Sequence, residues 1–138
     1  MSYRYLEHST DAFIEVKAKN LEEAFSVAGK SVVETIIDLK NIQEIEEKSV
    51  KVKGRNLLNL LYNWLEEIVT ITITDGFAIK KFSVNIKKNT EYEIVSKVSG
   101  EKLDLKKHNF KIEIKSPTFH LMEIKENDEV TMQYLLDL

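Results

Sequence analysis

The 138-residue sequence predicts an α+β fold: two helices packed on one face of a largely antiparallel or mixed β-sheet. Three observations predict it. Two segments carry apolar residues at three- and four-residue steps, the mark of a helix with one buried face. Most of the remainder alternates with period two, and several such segments follow one another directly, as in an antiparallel sheet. Only 4 Gly and 1 Pro occur, so the connections are short and tight.

The first strand-like run is AFIEVKA, after the polar stretch Glu7-His8-Ser9-Thr10-Asp11. The first helix opens at Asn20, a good N-cap, with Glu23 at the third helical position in a variant of the capping box. Leu21, Ala24, Phe25, Ala28, Val32, Val33, Ile36 and Ile37 form its apolar stripe, to about Asp38. KSVKVKG alternates as a strand. The second helix runs from about Asn56 to Val69, with Leu57, Leu58, Leu61, Leu65 and Ile68 as its stripe and Trp64 in the core beside it. AIKKFSVNIKK, EYEIVSKVSG, NFKIEIKS and FHLMEIK alternate as further strands. The last segment, EVTMQYLLDL, stays strand-like to the end of the sequence, which calls for a paired strand. No linker, low-complexity segment or repeat interrupts the chain, so residues 1–138 read as one domain.

Composition narrows the function. There are no cysteines, which excludes disulfides, thiolate metal sites and a cysteine nucleophile. No run of about 18 apolar residues is present, and the N-terminus lacks a signal-peptide pattern, so the expected location is cytoplasmic. The net charge of −3 comes without a basic stripe, so contact with nucleic acid is expected to be indirect or weak. The lysine pairs Lys80-Lys81, Lys87-Lys88 and Lys106-Lys107 read as solvated residues on strand edges and turns. No phosphate-binding loop, dinucleotide fingerprint, zinc-protease motif or nucleophile elbow occurs; Gly29, Gly54, Gly76 and Gly100 stand alone.

The remaining candidates are three histidines and two aspartates. His8, His108 and His120 are spaced too far apart for a metal signature, and a hydrogen-bonding role comes first for each. Asp11 precedes an apolar run, and Asp137 sits inside the final strand. Hard cations seek such oxygens. The two could converge on one cation if the first and last strands are neighbours. Periodicity does not establish that, and two solvent-exposed aspartates are the simpler account.

Five segments together resemble the archease family. Glu7-His8-Ser9-Thr10-Asp11 resembles its Asp-His-Thr-Ala-Asp signature, and NLEEAF its Leu-Glu-Glu-Ala-Phe helix start. LLNLLYNWLEEIV resembles its second helix. GEKLDLKKHNFKIEIKSPTFH resembles its Gly-Glu, Asp, His and Val-Lys-Ala-x-Thr-Tyr-His run. LLDL resembles its closing Asp-Ile or Asp-Leu. The order is preserved over nearly the whole chain. Departures are Glu7 for aspartate, Ser9-Thr10 for Thr-Ala, Ser116-Pro117 for Ala and an apolar residue, and Phe119 for Tyr. Glu7 puts its carboxylate on a longer arm, and Phe119 shows that the tyrosine hydroxyl is not essential here.

The resemblance implies a protein that is not itself an enzyme. It would be an accessory of the RtcB-type tRNA-splicing RNA ligase, promoting guanylylation of the ligase's active-site histidine and supporting multiple turnover. It also implies a divalent cation, calcium by resemblance, with magnesium or manganese as alternatives. The implied ligands are Asp11, Asp137 and the backbone of Leu138. Glu7, His8, Lys115 and His120 would shape the surroundings or touch the partner. Two other readings remain open: a chaperone-like modulator of an RNA-modifying enzyme such as a tRNA methyltransferase, and a small metal-dependent hydrolase using Asp11 and a histidine.

Overall fold

The structure, a computed structural model, describes residues 2–6 and 11–138. Seven strands and two α-helices follow in the order β1 (Ser2–Leu6), β2 (Asp11–Ala18), α1 (Leu21–Ile36), β3 (Glu46–Gly54), α2 (Leu57–Val69), β4 (Phe77–Lys88), β5 (Tyr92–Lys102), β6 (Ser116–Glu126) and β7 (Val130–Asp137). A single π-helical turn, Thr70–Thr74, extends α2. The fold is α+β, as expected, and every strand pair is antiparallel. The strands divide between two sheets, ordered β1-β2-β7-β6 and β3-β5-β4. Both helices touch both sheets: α1 packs on β1, β2, β7 and β4, and α2 on β6, β3 and β5.

The helices begin where their caps stand. The Asn20 side chain accepts from the Glu23 N–H at 2.9 Å, and Glu23 accepts in turn from the Lys19 N–H at 3.2 Å. Asn56 and Asn59 repeat the arrangement on α2, with Asn59 accepting from the Arg55 N–H at 3.1 Å. Each cap satisfies amides that the first turn leaves without partners. The buried faces meet in one core. Phe25 and Trp64 are fully enclosed, and the Trp64 indole N–H donates to the Phe25 carbonyl at 2.8 Å.

Two expectations are corrected. α1 ends at Ile36, two residues before Asp38. Ile37 turns extended, and the Asp38 N–H donates to the His108 carbonyl at 2.8 Å. The second correction is NFKIEIKS, of which only Ser116 lies in a strand. Its alternation does not mark one buried face, because Ile114 is buried while Phe110 and Ile112 are exposed. Its backbone, however, serves other groups. The Lys111 N–H donates to the Ile36 carbonyl at 2.7 Å, and the Lys115 N–H to the Asp137 carbonyl at 2.8 Å. The segment thus caps the Ile36 carbonyl, which α1 itself cannot satisfy, and ties its other end to β7.

Candidate functional site: the carboxylate pair on β2 and β7

β2 and β7 lie side by side at the centre of the four-stranded sheet, and Asp11 is paired directly with Asp137. The register follows from the hydrophobic pattern. Ala12, Ile14, Val16 and Ala18 on β2, and Val130, Met132, Tyr134 and Leu136 on β7, are buried toward the helices. A slip of one residue would turn every one of them outward. Burying those faces therefore forces Asp11 and Asp137 onto the opposite face of the sheet. Directly opposed residues stand on one face with Cβ atoms about 5 Å apart. Two positions about 126 residues apart in sequence thus converge, as a shared cation would require.

The neighbourhood is set by the same ladder. Ser116 is the β6 partner of Asp137, so a hydroxyl-bearing residue extends the row Asp11, Asp137, Ser116 across three strands. Lys115 is fixed there by the hydrogen bond its backbone N–H donates to the Asp137 carbonyl, and Leu138 follows Asp137 directly. Sequence reasoning noted Ser116 only as a departure from a motif; its place beside Asp137 is visible only once β6 and β7 are paired. Glu7 and His8 lie outside the described residues. Like charges directly opposed in a sheet are destabilising, so this arrangement is one that a bound cation would relieve. Asp11, Asp137 and Ser116 are hard oxygen donors, suited to calcium or magnesium and not to a soft metal.

The described histidines are elsewhere. His108 is fully buried. Its Nδ1 accepts from the Asp104 N–H at 3.0 Å, so the proton sits on Nε2, which donates to Glu101 at 2.8 Å. Both ring nitrogens are thereby occupied in holding the 101–108 turn together, a hydrogen-bonding role and not that of a ligand. His120 lies on an irregular stretch of β6, where the pairing jumps from Thr118 to Glu123 and Leu121 takes a φ of 61°. Its side chain is exposed and its N–H donates to the Thr118 hydroxyl at 2.9 Å. Among the described residues, no cluster of three or more His, Cys, Asp or Glu residues could hold a metal. The donors that the register brings together are the two aspartates.

The sequence pattern of the archease protein family matches residues 3–138. The chain belongs to the archease family. An archease of Pyrococcus abyssi is 35% identical over 125 residues, covering 90% of this chain and 88% of its own. An archease of Pyrobaculum islandicum is 33% identical over 141 residues, covering 100% and 96%. The solution structure of protein 1598 of Methanobacterium thermoautotrophicum superposes with a TM-score of 0.84 at 29% identity, covering 99% of both chains. A crystal structure from Thermotoga maritima, described as an archease and possible chaperone, shares the fold with a TM-score of 0.63 at 20% identity, covering 98% and 96%. No helix among the described residues is long and apolar enough to cross a membrane.

Proposed function

We propose that this archease is a non-enzymatic activator of an RtcB-type tRNA-splicing RNA ligase, promoting guanylylation of the ligase's active-site histidine and multiple turnover. In this reading Asp11 and Asp137 hold a divalent cation, calcium in the first instance, with Leu138 contributing backbone oxygen. The observation that carries the proposal is the direct pairing of Asp11 with Asp137 in a chain that belongs to this family. The cation would neutralise two opposed carboxylates. Two carboxylates and a carbonyl fall short of the six to eight oxygens that calcium takes, so positions remain for water or for oxygen groups of the partner. An accessory protein with such a site can position a cation at the nucleotide pocket of its partner.

The test is a joining assay with the ligase in limiting amount, with and without this protein, following ligase guanylylation and RNA joining over many turnovers. Wild-type protein should raise both. Asp11→Asn and Asp137→Asn should stay folded and lose most of the stimulation. Full stimulation by either variant would contradict the cation's role. No stimulation by wild-type protein, with the cognate ligase and metals supplied, would contradict the partner. The description of the Thermotoga protein as a possible chaperone favours the second reading, a chaperone-like modulator of an RNA-modifying enzyme such as a tRNA methyltransferase. Co-purification with a methyltransferase and not with the ligase would select it.

A further inference from the structure

The two sheets leave a groove on the α1 side of the molecule, between edge strand β1 of one sheet and edge strand β4 of the other. It does not include the carboxylate pair. One part, of about 530 Å³, is floored by Tyr3, Val27 and Phe82 and rimmed by Lys30, Lys80 and Lys81. A second part, of about 370 Å³, shares Lys30 and Lys80 and adds Lys40 at its far end. Each part falls in the range of small-molecule clefts, about 300–1,000 Å³.

The groove carries a net positive charge: Lys30, Lys40, Lys80 and Lys81 line it against Glu34 and Asp38. Burial raises the pKa of the Tyr3 phenol, and the neighbouring Glu34 carboxylate raises it further. Asp38 is bound by Asn109 at 2.9 Å and by Lys111 at 3.1 Å. Both acids line the second part, and none lines the first among the described residues. Among the described residues, the ammonium groups of Lys30 and Lys81 have no ion-pair partner. Lys80 is not a solvated edge lysine. It occupies a bulge in the β4–β5 pairing and donates to the Leu39 carbonyl at 2.9 Å, which fixes its charge in the groove wall.

We propose that this groove binds a phosphate-bearing ligand with a flat ring, either a nucleoside triphosphate or a short stretch of single-stranded RNA. Lys30, Lys80 and Lys81 meet the phosphates as point charges, and the apolar floor takes the ring. An amphipathic anion matches a site that is apolar below and cationic around the rim. A simple inorganic anion would leave the floor uncovered. The proposal is independent of the ligase reading, since it concerns a separate surface and needs no metal.

The test uses the full chain in low salt with EDTA present, so that the carboxylate pair plays no part. Guanosine triphosphate, adenosine triphosphate and a short oligouridine are titrated separately while amide shifts are followed by NMR. Saturable shifts confined to Val27, Lys30, Lys81 and Phe82 support the proposal. Saturation by the triphosphates identifies the small-molecule source; saturation by the oligouridine alone identifies RNA. Lys30→Glu and Lys81→Glu should each weaken binding about tenfold or more, while Lys51→Glu, on β3 away from the groove, should not. Unchanged melting temperatures of the variants separate loss of binding from loss of fold. No saturable shift with any of the three probes, or binding that survives both groove variants, overturns the proposal.

Discussion

Glu101 accepts from three donors at once. The buried His108 ring, the Lys107 ammonium at 2.9 Å and the Gln43 N–H at 3.0 Å all point at its carboxylate. The His108 bond does most, followed by Lys107 and Gln43, and together they hold the acid at about 2, against an ordinary value of 4.5. A folded-state pKa that is depressed contributes stability above the unfolded value and loses it as pH falls through the folded one. This contribution is therefore complete above about pH 4.5 and disappears toward pH 2. Glu101→Gln should be clearly less stable than wild type at pH 7, and the gap should shrink as pH falls through that window. Urea denaturation at pH 7 and pH 3 checks it; a gap that is constant with pH would contradict the assignment. In the sequence, the GEKLDLKKH segment offered charges and a histidine but not their partners. Only the turn closed by Asp104, whose carboxylate accepts from the Lys106 and Lys107 amides at 3.0 Å, folds His108 back onto Glu101.

Elements were legible where their own residues determine them. The asparagine caps and apolar stripes of α1 and α2 are local signals, and both helices begin where those signals stand. Residues 110–115 show the limit. Their alternation is that of a strand, yet their amides are drawn to Ile36 and Asp137, partners no local pattern reveals. The run Thr70–Thr74 is another case. Five alternating β-branched residues would suit a strand, but they follow α2 without a break and close one π-helical turn. That turn leaves the Thr72 hydroxyl buried with no partner among the described residues. A buried hydroxyl without a hydrogen bond costs about 1–3 kcal/mol. Thr72→Val removes the hydroxyl at nearly constant shape, so it should raise stability by about 1 kcal/mol, read from the urea midpoint at unchanged slope. A loss of stability would mean that the hydroxyl is satisfied after all.

At the scale of the molecule, the arrangement that matters joins the two ends of the chain. β2 and β7 are separated by both helices and four other strands, and neither carries a motif that names the other. What pairs them is the demand that two buried faces meet the same helices. Asp11 and Asp137 are carried along on the opposite side. The residues of the site could therefore be named from the sequence, by resemblance, while their convergence could not. The same division of strands into two sheets creates the lysine-rimmed groove, whose walls come from β1, α1 and β4. Lys80 and Lys81, unremarkable as a pair in the sequence, come to line one groove only through that topology.

The central claim is that Asp11 and Asp137 form one cation site. Calorimetric titration of the metal-stripped protein with calcium tests it most directly, with magnesium and manganese as parallel titrants and with Asp11→Asn and Asp137→Asn as controls. The account predicts one saturable site per chain in the wild type and its loss in both variants, which should otherwise melt as cooperatively as the parent. Saturable binding that survives either substitution, or a wild-type protein that binds none of the three cations, would contradict it.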